Sequence, residues 1–311
     1  MRKPGFQSLF LVLLMALSFG TLNLSAQSPI EGRWDMSIHE NGKEYPSWLE
    51  VVHSGSKRFV GSYVGITGSA RPVSSVLFND NKISFSLPPQ WEEENNDLKF
   101  EGNFQGDSLA GTMTAANGKT YQWTARKAPL LRKEKEPGWG TPVQLIGDNN
   151  MDQWIALGNN QWTVNNGIMK SDKSGANLIT KEKYNDFKLH VEFRCPKGSN
   201  SGVYLRGRYE VQIEDDYGRE PEKHLLGAIY GFLTPTEMAA KQAGEWQTYD
   251  ITLVGRNVNI VANGKNIICN QDIPGITGGA LDSHEELPGP IMIQGDHGPI
   301  EYRNIIITPA K

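Results

Sequence analysis

Apolar and polar residues alternate with period two through most of this chain, in short runs separated by Gly- and Asn-rich turns. That period puts successive side chains on opposite faces of a strand, so the runs predict half-buried β-strands. Seven of them fall early: GRWDMSI, WLEVVH, FVGSYVG, KISFSL, LKFEGNFQG, SLAGTMTA and TYQWTAR. Asn41-Gly42, Gly106-Asp107 and Asn117-Gly118 stand between runs, and Asn-Gly favours a two-residue hairpin. Residues 28–127 are therefore expected to form a small up-and-down barrel or sandwich, either a ligand cup or an accessory unit that positions the second half of the chain. Residues 128–140 (APLLRKEKEPGWG) are charged, Pro-bearing and aperiodic, and read as a linker. Nine further runs fill 141–311 and predict two packed antiparallel sheets, one with a polar concave face. Only residues 234–242 (TPTEMAAKQ) have a helix composition. The expected class is all-β.

One run differs from an ordinary wet strand. In SNSGVYLRGRYEVQIEDD, Val203, Leu205, Tyr209, Val211 and Ile213 share one parity, and Tyr204, Arg206, Arg208, Glu210, Gln212 and Glu214 the other. Guanidinium, carboxylate, amide and phenol on a single face suit a polyhydroxylated ligand, although a merely solvated sheet face would show the same alternation. Arg206-Gly207 could mark a bulge or turn, which would flip the parity after it.

Composition narrows the rest. The net charge of -4 gives no basic surface for nucleic acid or anionic lipid. Residues 1–26 carry Arg2 and Lys3, an apolar run LFLVLLMAL and a small-residue end at Leu24-Ser25-Ala26, the pattern of a cleaved export signal. The run is too short to span a bilayer, so the mature protein is expected in the periplasm or outside the cell, without a transmembrane segment. Cys195 and Cys269 could pair there or remain as thiols.

A second cluster is Gln294-Gly295-Asp296-His297-Gly298, where His297 stands in a Gly-flanked loop beside Asp296. An Asp-His pair can fix a tautomer, act as acid or base, or bind a metal. It can also be an exposed loop pair without function. Tyr230 is a stacking ring or a turn filler, Trp246 reads as core, and Glu301 with Arg303 as an ion pair in or beside a site. Asp215 and Asp216 read as a polar turn. No spaced set of His, Asp and Glu makes a metal motif, but a divalent ion on His297, Asp296 or Glu210 stays open.

LIGDNNMDQW, NNGIM, SNSGVYLRGRYEVQIEDD, GAIYG, GEWQTYDI, NGK and GPIMIQGDHGPIEYRNI occur in that order. Over about residues 141–309 this resembles the 3-keto-disaccharide hydrolase domain family. The opening segment departs from that family's usual LFNGKDLSGW, with Ile146 in place of Phe. The resemblance implies a concanavalin-like jelly-roll sandwich and action on glycosides oxidised at carbon 3. A C3 ketone acidifies the C2 proton, so a base can remove it and the C1 substituent can leave by elimination. The product is a 3-keto-2-hydroxyglucal, and adding water completes a net hydrolysis. On that reading Glu210 is the base, Arg206 the donor to the enolate oxygen and His297 the acid-base partner. A cation near Glu210 would keep it ionised. Tyr204, Arg208, Gln212, Tyr230, Gln294, Asp296 and Glu301 are the expected substrate contacts. No dinucleotide fingerprint is present, so a separate oxidoreductase is expected to make the 3-keto sugar. Two readings compete: a lectin-like carbohydrate-binding module, and a surface protein that only makes contacts.

Overall fold

The computed structural model describes residues 28–90, 92–133 and 135–311, so the export signal expected over residues 1–26 lies outside the described residues. Eight strands form a closed up-and-down barrel: Gly32–Glu40 (β1), Lys43–Ser54 (β2), Arg58–Val64 (β3), Arg71–Asn79 (β4), Lys82–Leu87 (β5), Leu98–Gln105 (β6), Ser108–Thr114 (β7) and Thr120–Lys127 (β8). Closure comes from pairing of β1 with β8, Trp34 opposite Lys127 through His39 opposite Gln122. The strand missing from the sequence pattern is β4. It opens on Arg-Pro and buries only Arg71, Val73 and Val76, with a register shift opposite Phe59 and Gly61 in β3. Its alternation is too broken to show in sequence. Trp34, Met36, Leu49, Val51, Phe85 and Phe100 fill the barrel, and the last two rings stack at 4.5 Å. Burying each such side chain contributes ~1.5–3 kcal/mol.

The second half is a β-sandwich. One sheet runs Trp154–Ala156, Leu178–Thr180, Met292–Ile293, Asn200–Leu205, Tyr209–Glu214. The other has eight strands, with Ile300–Pro309, Phe187–Arg194 and Gln247–Val254 at its centre. Phe187, Leu189, Val191 and Phe193 point inward from that sheet, onto Val203, Leu205, Val211 and Ile213 of the first. No strand or helix forms over residues 234–242; the segment is irregular, with bends at Thr236 and Glu237 and a turn at Ala243 and Gly244.

Residues 128–140 do not hang between the two halves. Trp139 bridges to Ala310, Gly140 N–H donates to Pro309 O at 2.7 Å, and Lys133 pairs with the buried Asp186. Trp48 and Val64 of the barrel belong to the sandwich's own buried cluster, with Trp48 edge-on to Phe232 at 5.3 Å. A Cβ at Gly278 would run into Gly68 O, so the β3–β4 loop and the segment 277–280 meet backbone to backbone. Gly279 N–H donates to Ile66 O at 2.9 Å across that seam.

A buried proton-sharing pair lies in the same seam. Asp35 of β1 is 3% exposed, and no donor reaches either carboxyl oxygen. Burial, with the negative charge of Glu285 beside it, pushes its pKa up to about 9. Glu285 is held low: burial works against it, but the Arg256 guanidinium outweighs burial, Nε donating to Oε1 at 2.9 Å. Asp35 therefore carries a proton at neutral pH and donates it to Glu285.

Candidate active site

The stretch 199–216 folds as a hairpin, Asn200–Leu205 and Tyr209–Glu214, closed by Arg206, Gly207 and Arg208. Arg206 and Gly207 take φ of 53° and 67°, the left-handed turn region. Because three residues sit in the turn, the parity on either side is kept rather than flipped. Tyr204 faces Glu210 and Gly202 faces Gln212, while Val203 and Val211 face the core.

The same turn takes both arginines out of the polar row. Arg206 is not beside the candidate site. Its Nη2 donates to Gly255 O at 2.7 Å and to the Tyr209 hydroxyl at 3.1 Å, against the Leu131–Lys133 segment. Arg208 is fixed by Asp282 at 2.7 Å and by Leu287 O. The expected enolate donor is thus a fastener of the turn. Glu301 and Arg303 do not pair with each other: Glu301 binds Arg194, and Arg303 Nε donates to Glu192 at 2.6 Å. They sit with Trp246, half-buried between the guanidinium groups of Arg194 and Arg303, so Trp246 is not core either. Cys195 and Cys269 are both free thiols, one buried and one exposed.

The remaining candidates converge. A cavity of about 180 Å³ is bordered by Tyr204, Glu210, Gln212, Tyr230, Gln294, Asp296 and His297. Asn177, Asn200 and the Gly278-Gly279 pair complete its wall on the sandwich side, and Thr67 and Gly68 of the barrel close it. Asn200 shares the parity of Tyr204 in the strand pattern and was legible there; Asn177 and Thr67 carry no sequence signal. The polar row is covered rather than wet: Glu210 is 4% exposed and Gln212 3%. Segment 227–230 runs along the hairpin edge, with Gly227 N–H on Gln212 O and Tyr230 N–H on Glu210 O. Thr277 Oγ accepts Glu210 N–H at 3.0 Å.

Burial sets the charge state of Glu210. With no arginine beside it, desolvation pushes its carboxyl up to about 8, against the hydrogen bond from Tyr204 and the pull of His297. This reverses the sequence expectation of a carboxylate held ionised by Arg206. Glu210 is protonated at neutral pH and suited to an acid's role. At the rim, His297 Nδ1 meets Asp296 Oδ1 at 2.6 Å. That hydrogen bond raises the imidazole's pKa above 6.5 despite partial burial. Burial raises and His297 lowers the Asp296 carboxyl, and the histidine wins, aided by Asn177. Asp296 thus fixes the Nδ1–H tautomer and leaves Nε2 as the basic atom. Gln212 Oε1 and Gln294 Oε1 are buried and make no hydrogen bond within the protein, which leaves both amides with capacity for ligand hydroxyls.

Among the described residues no three His, Cys, Asp or Glu side chains are grouped as cation ligands. Asp296 Oδ1 and His297 Nδ1 are bonded to each other, which leaves His297 Nε2 free.

A 3-keto-disaccharide hydrolase of Bacteroides thetaiotaomicron is 22% identical, over 40% of this chain and 57% of the relative. The match therefore spans little more than half of that relative's length. A Parabacteroides distasonis protein provisionally described as a glycosyl hydrolase is similar with 26% identity and a TM-score of 0.47, over 58% of this chain and 93% of its own. A carbohydrate-binding module from Bacillus subtilis is similar at 11% identity and a TM-score of 0.35, over 49% and 93%. The 3-keto-alpha-glucoside-1,2-lyase-like domain matches residues 141–308, more than half of the chain. The chain belongs to the 3-keto-alpha-glucoside-1,2-lyase-like domain family.

Proposed function

We propose that the protein cleaves 3-keto-glucosides by elimination across C1–C2, with His297 as base and Glu210 as acid. The observation that carries this is the pairing, in one cavity, of a buried carboxyl with a raised pKa and an Asp-oriented imidazole. Two titratable groups pushed into complementary protonation states are what proton abstraction and leaving-group protonation require. A module that only binds sugar needs amides and rings, but gains nothing from a protonated carboxyl facing a basic nitrogen.

Nε2 of His297 removes the C2 proton, and the C2–H electron pair forms the enolate, with negative charge on the C3 oxygen. Collapse of the enolate restores the C3 carbonyl, makes the C1–C2 double bond and breaks the bond from C1 to the glycosidic oxygen. Glu210 gives its proton to that departing oxygen. Gln212, Gln294 and Asn200 hold the sugar hydroxyls and the C3 oxygen, and Tyr230 offers a ring to a sugar face. Water then adds at C1 while a proton returns to C2, giving free 3-keto-glucose and completing a net hydrolysis. The substrate must be made by a separate oxidoreductase that takes a C3 hydroxyl to the ketone, and the leader pattern at residues 1–26 supports action outside the cytoplasm.

The test is release of the aglycone from a 3-keto-glucoside and from its parent glucoside, with product identification in deuterated water. Turnover of the keto compound alone, with exchange at C2, is expected. Equal inactivity on both would remove the enzyme reading and leave the carbohydrate-binding module.

A further inference from the structure

The barrel has a cavity of its own at the end nearest the candidate site. It measures about 250 Å³ and is bordered by Tyr45, Tyr63, Tyr121, Ile66, Leu98 and Met113, at the rims of β2, β3, β8, β6 and β7. Its lining is mostly aromatic and aliphatic, with Glu40, Arg71 and Glu92 among it, whereas the sandwich cavity is walled by four amides, two carboxyls, two phenols and an imidazole. Thr67, exposed in the β3–β4 loop, borders both. That loop is fixed on each side. Ile66 O accepts from Gly279, Ser69 packs on Gly231, and Ser69 Oγ accepts from Gln90 Nε2 at 3.0 Å.

The charged groups at the barrel cavity are Arg71, Glu40 and Glu92, and Arg71 is the only cation among its lining residues. Its guanidinium lies 5.6 Å from the centre of the Tyr63 ring, donates to Pro88 O at 3.0 Å and pairs with Glu92 at 3.5 Å. Its Nε–H is buried and has no acceptor in the protein. Such a group costs free energy unless something accepts from it.

We propose that the barrel cavity is the aglycone subsite, and that the substrates are 3-keto-glucosides of aromatic alcohols. The inference rests on the elimination reading of the sandwich cavity and adds the leaving group's chemistry. A sugar ring suits the amide-walled side, where four amides and two phenols offer donors and acceptors to hydroxyls. An aromatic group suits the side where tyrosine and aliphatic surface excludes water, with Arg71 reaching an acceptor on the ring's far edge. A second sugar in the barrel cavity would lie partly against Leu98, Met113 and Ile66, which offer its hydroxyls no partners. The glycosidic oxygen would then lie over Thr67.

The experiment compares methyl, 2-naphthyl and glucosyl 3-keto-glucosides on the full chain, wild type against Ala115→Phe and Ile66→Asn. Ala115 borders the barrel cavity, and neither residue touches the sandwich cavity. Wild type is expected to favour the naphthyl compound over the methyl by about tenfold or more in kcat/KM, through KM. Ala115→Phe should remove that preference and leave the methyl compound within about twofold. Ile66→Asn, at a half-exposed position, gives the same reading if the larger side chain impairs folding. Equal kcat/KM for all three compounds, or equal loss on all three in both variants, overturns the subsite. If no 3-keto-glucoside is turned over, the elimination reading fails, and calorimetry with 2-naphthol still reads the cavity. Saturable binding weakened by Ala115→Phe keeps an aromatic site in the barrel; no binding removes it.

Discussion

Glu210 lies across Gly202, its diagonal neighbour in the hairpin, so closely that a Cβ there would overlap Oε1 and stand 3.0 Å from Cγ. The missing side chain at 202 is what lets the carboxyl fold down beside Tyr204 instead of standing away from the sheet. Gly202→Ala keeps an allowed backbone but must move the carboxyl. Loss of kcat/KM on the order of 10²-fold is expected, as for a displacement of about 1 Å at the reacting centre. Circular dichroism and the melting temperature should stay close to wild type. Unchanged activity in a folded Gly202→Ala protein would mean that the carboxyl's position is immaterial.

On the proposed mechanism His297 and Glu210 should set a bell-shaped pH profile. Activity rises as His297 loses its proton, above pH 6.5, and falls as Glu210 ionises around pH 8. Glu210→Gln should lower kcat by roughly 10²–10⁴-fold and abolish the alkaline limb. Survival of that limb in the variant assigns it to another group. His297→Asn should stop C2 proton exchange altogether, which nuclear magnetic resonance in deuterated water reads directly.

Much of this was legible in the chain. Alternation gave seven of the eight barrel strands, and the polar parity of residues 204, 210 and 212 gave three of the thirteen residues around the cavity. The Gly-flanked loop gave Asp296 and His297. Other parts were not legible, for physical reasons. Whether Arg206 belongs to the strand or the turn depends on backbone angles that Arg seldom adopts, with Gly207 the only hint. Glu210's high pKa depends on segments 227–230 and 277–279 lying over the row, which no local pattern reports. Thr67 enters the site from a strand connection more than a hundred residues away, and tertiary packing alone brings it there.

Arg206 has a structural job, and its loss should be visible in stability rather than chemistry. Arg206→Met removes donors from Gly255 O and the Tyr209 hydroxyl and should cost about 2–4 kcal/mol in urea unfolding. The kcat/KM of the folded fraction should stay within about threefold. A hundredfold loss at full folding would return Arg206 to the reacting centre.

The seam between the halves responds to pH through Asp35. Its carboxyl pKa is about 9 when folded, against 3.8 for an ordinary side chain. The folded protein holds this proton more tightly than the unfolded chain. That stabilisation is therefore complete below pH 3.8 and lost as pH rises toward 9. Asp35→Asn can still donate to Glu285 but cannot titrate. Urea unfolding at pH 6 and pH 9 should show wild type losing more stability than the variant over that interval. Parallel losses would show that Asp35 is not the group responsible.

The three-residue turn at 206–208 also decides which side of the hairpin a ligand meets. A strand pair exchanges its two faces whenever an odd offset enters one arm. One residue added to this turn would aim Val211 and Ile213 at the incoming sugar and drive Glu210 and Gln212 into oil. Homologues should thus keep the number of residues in this turn.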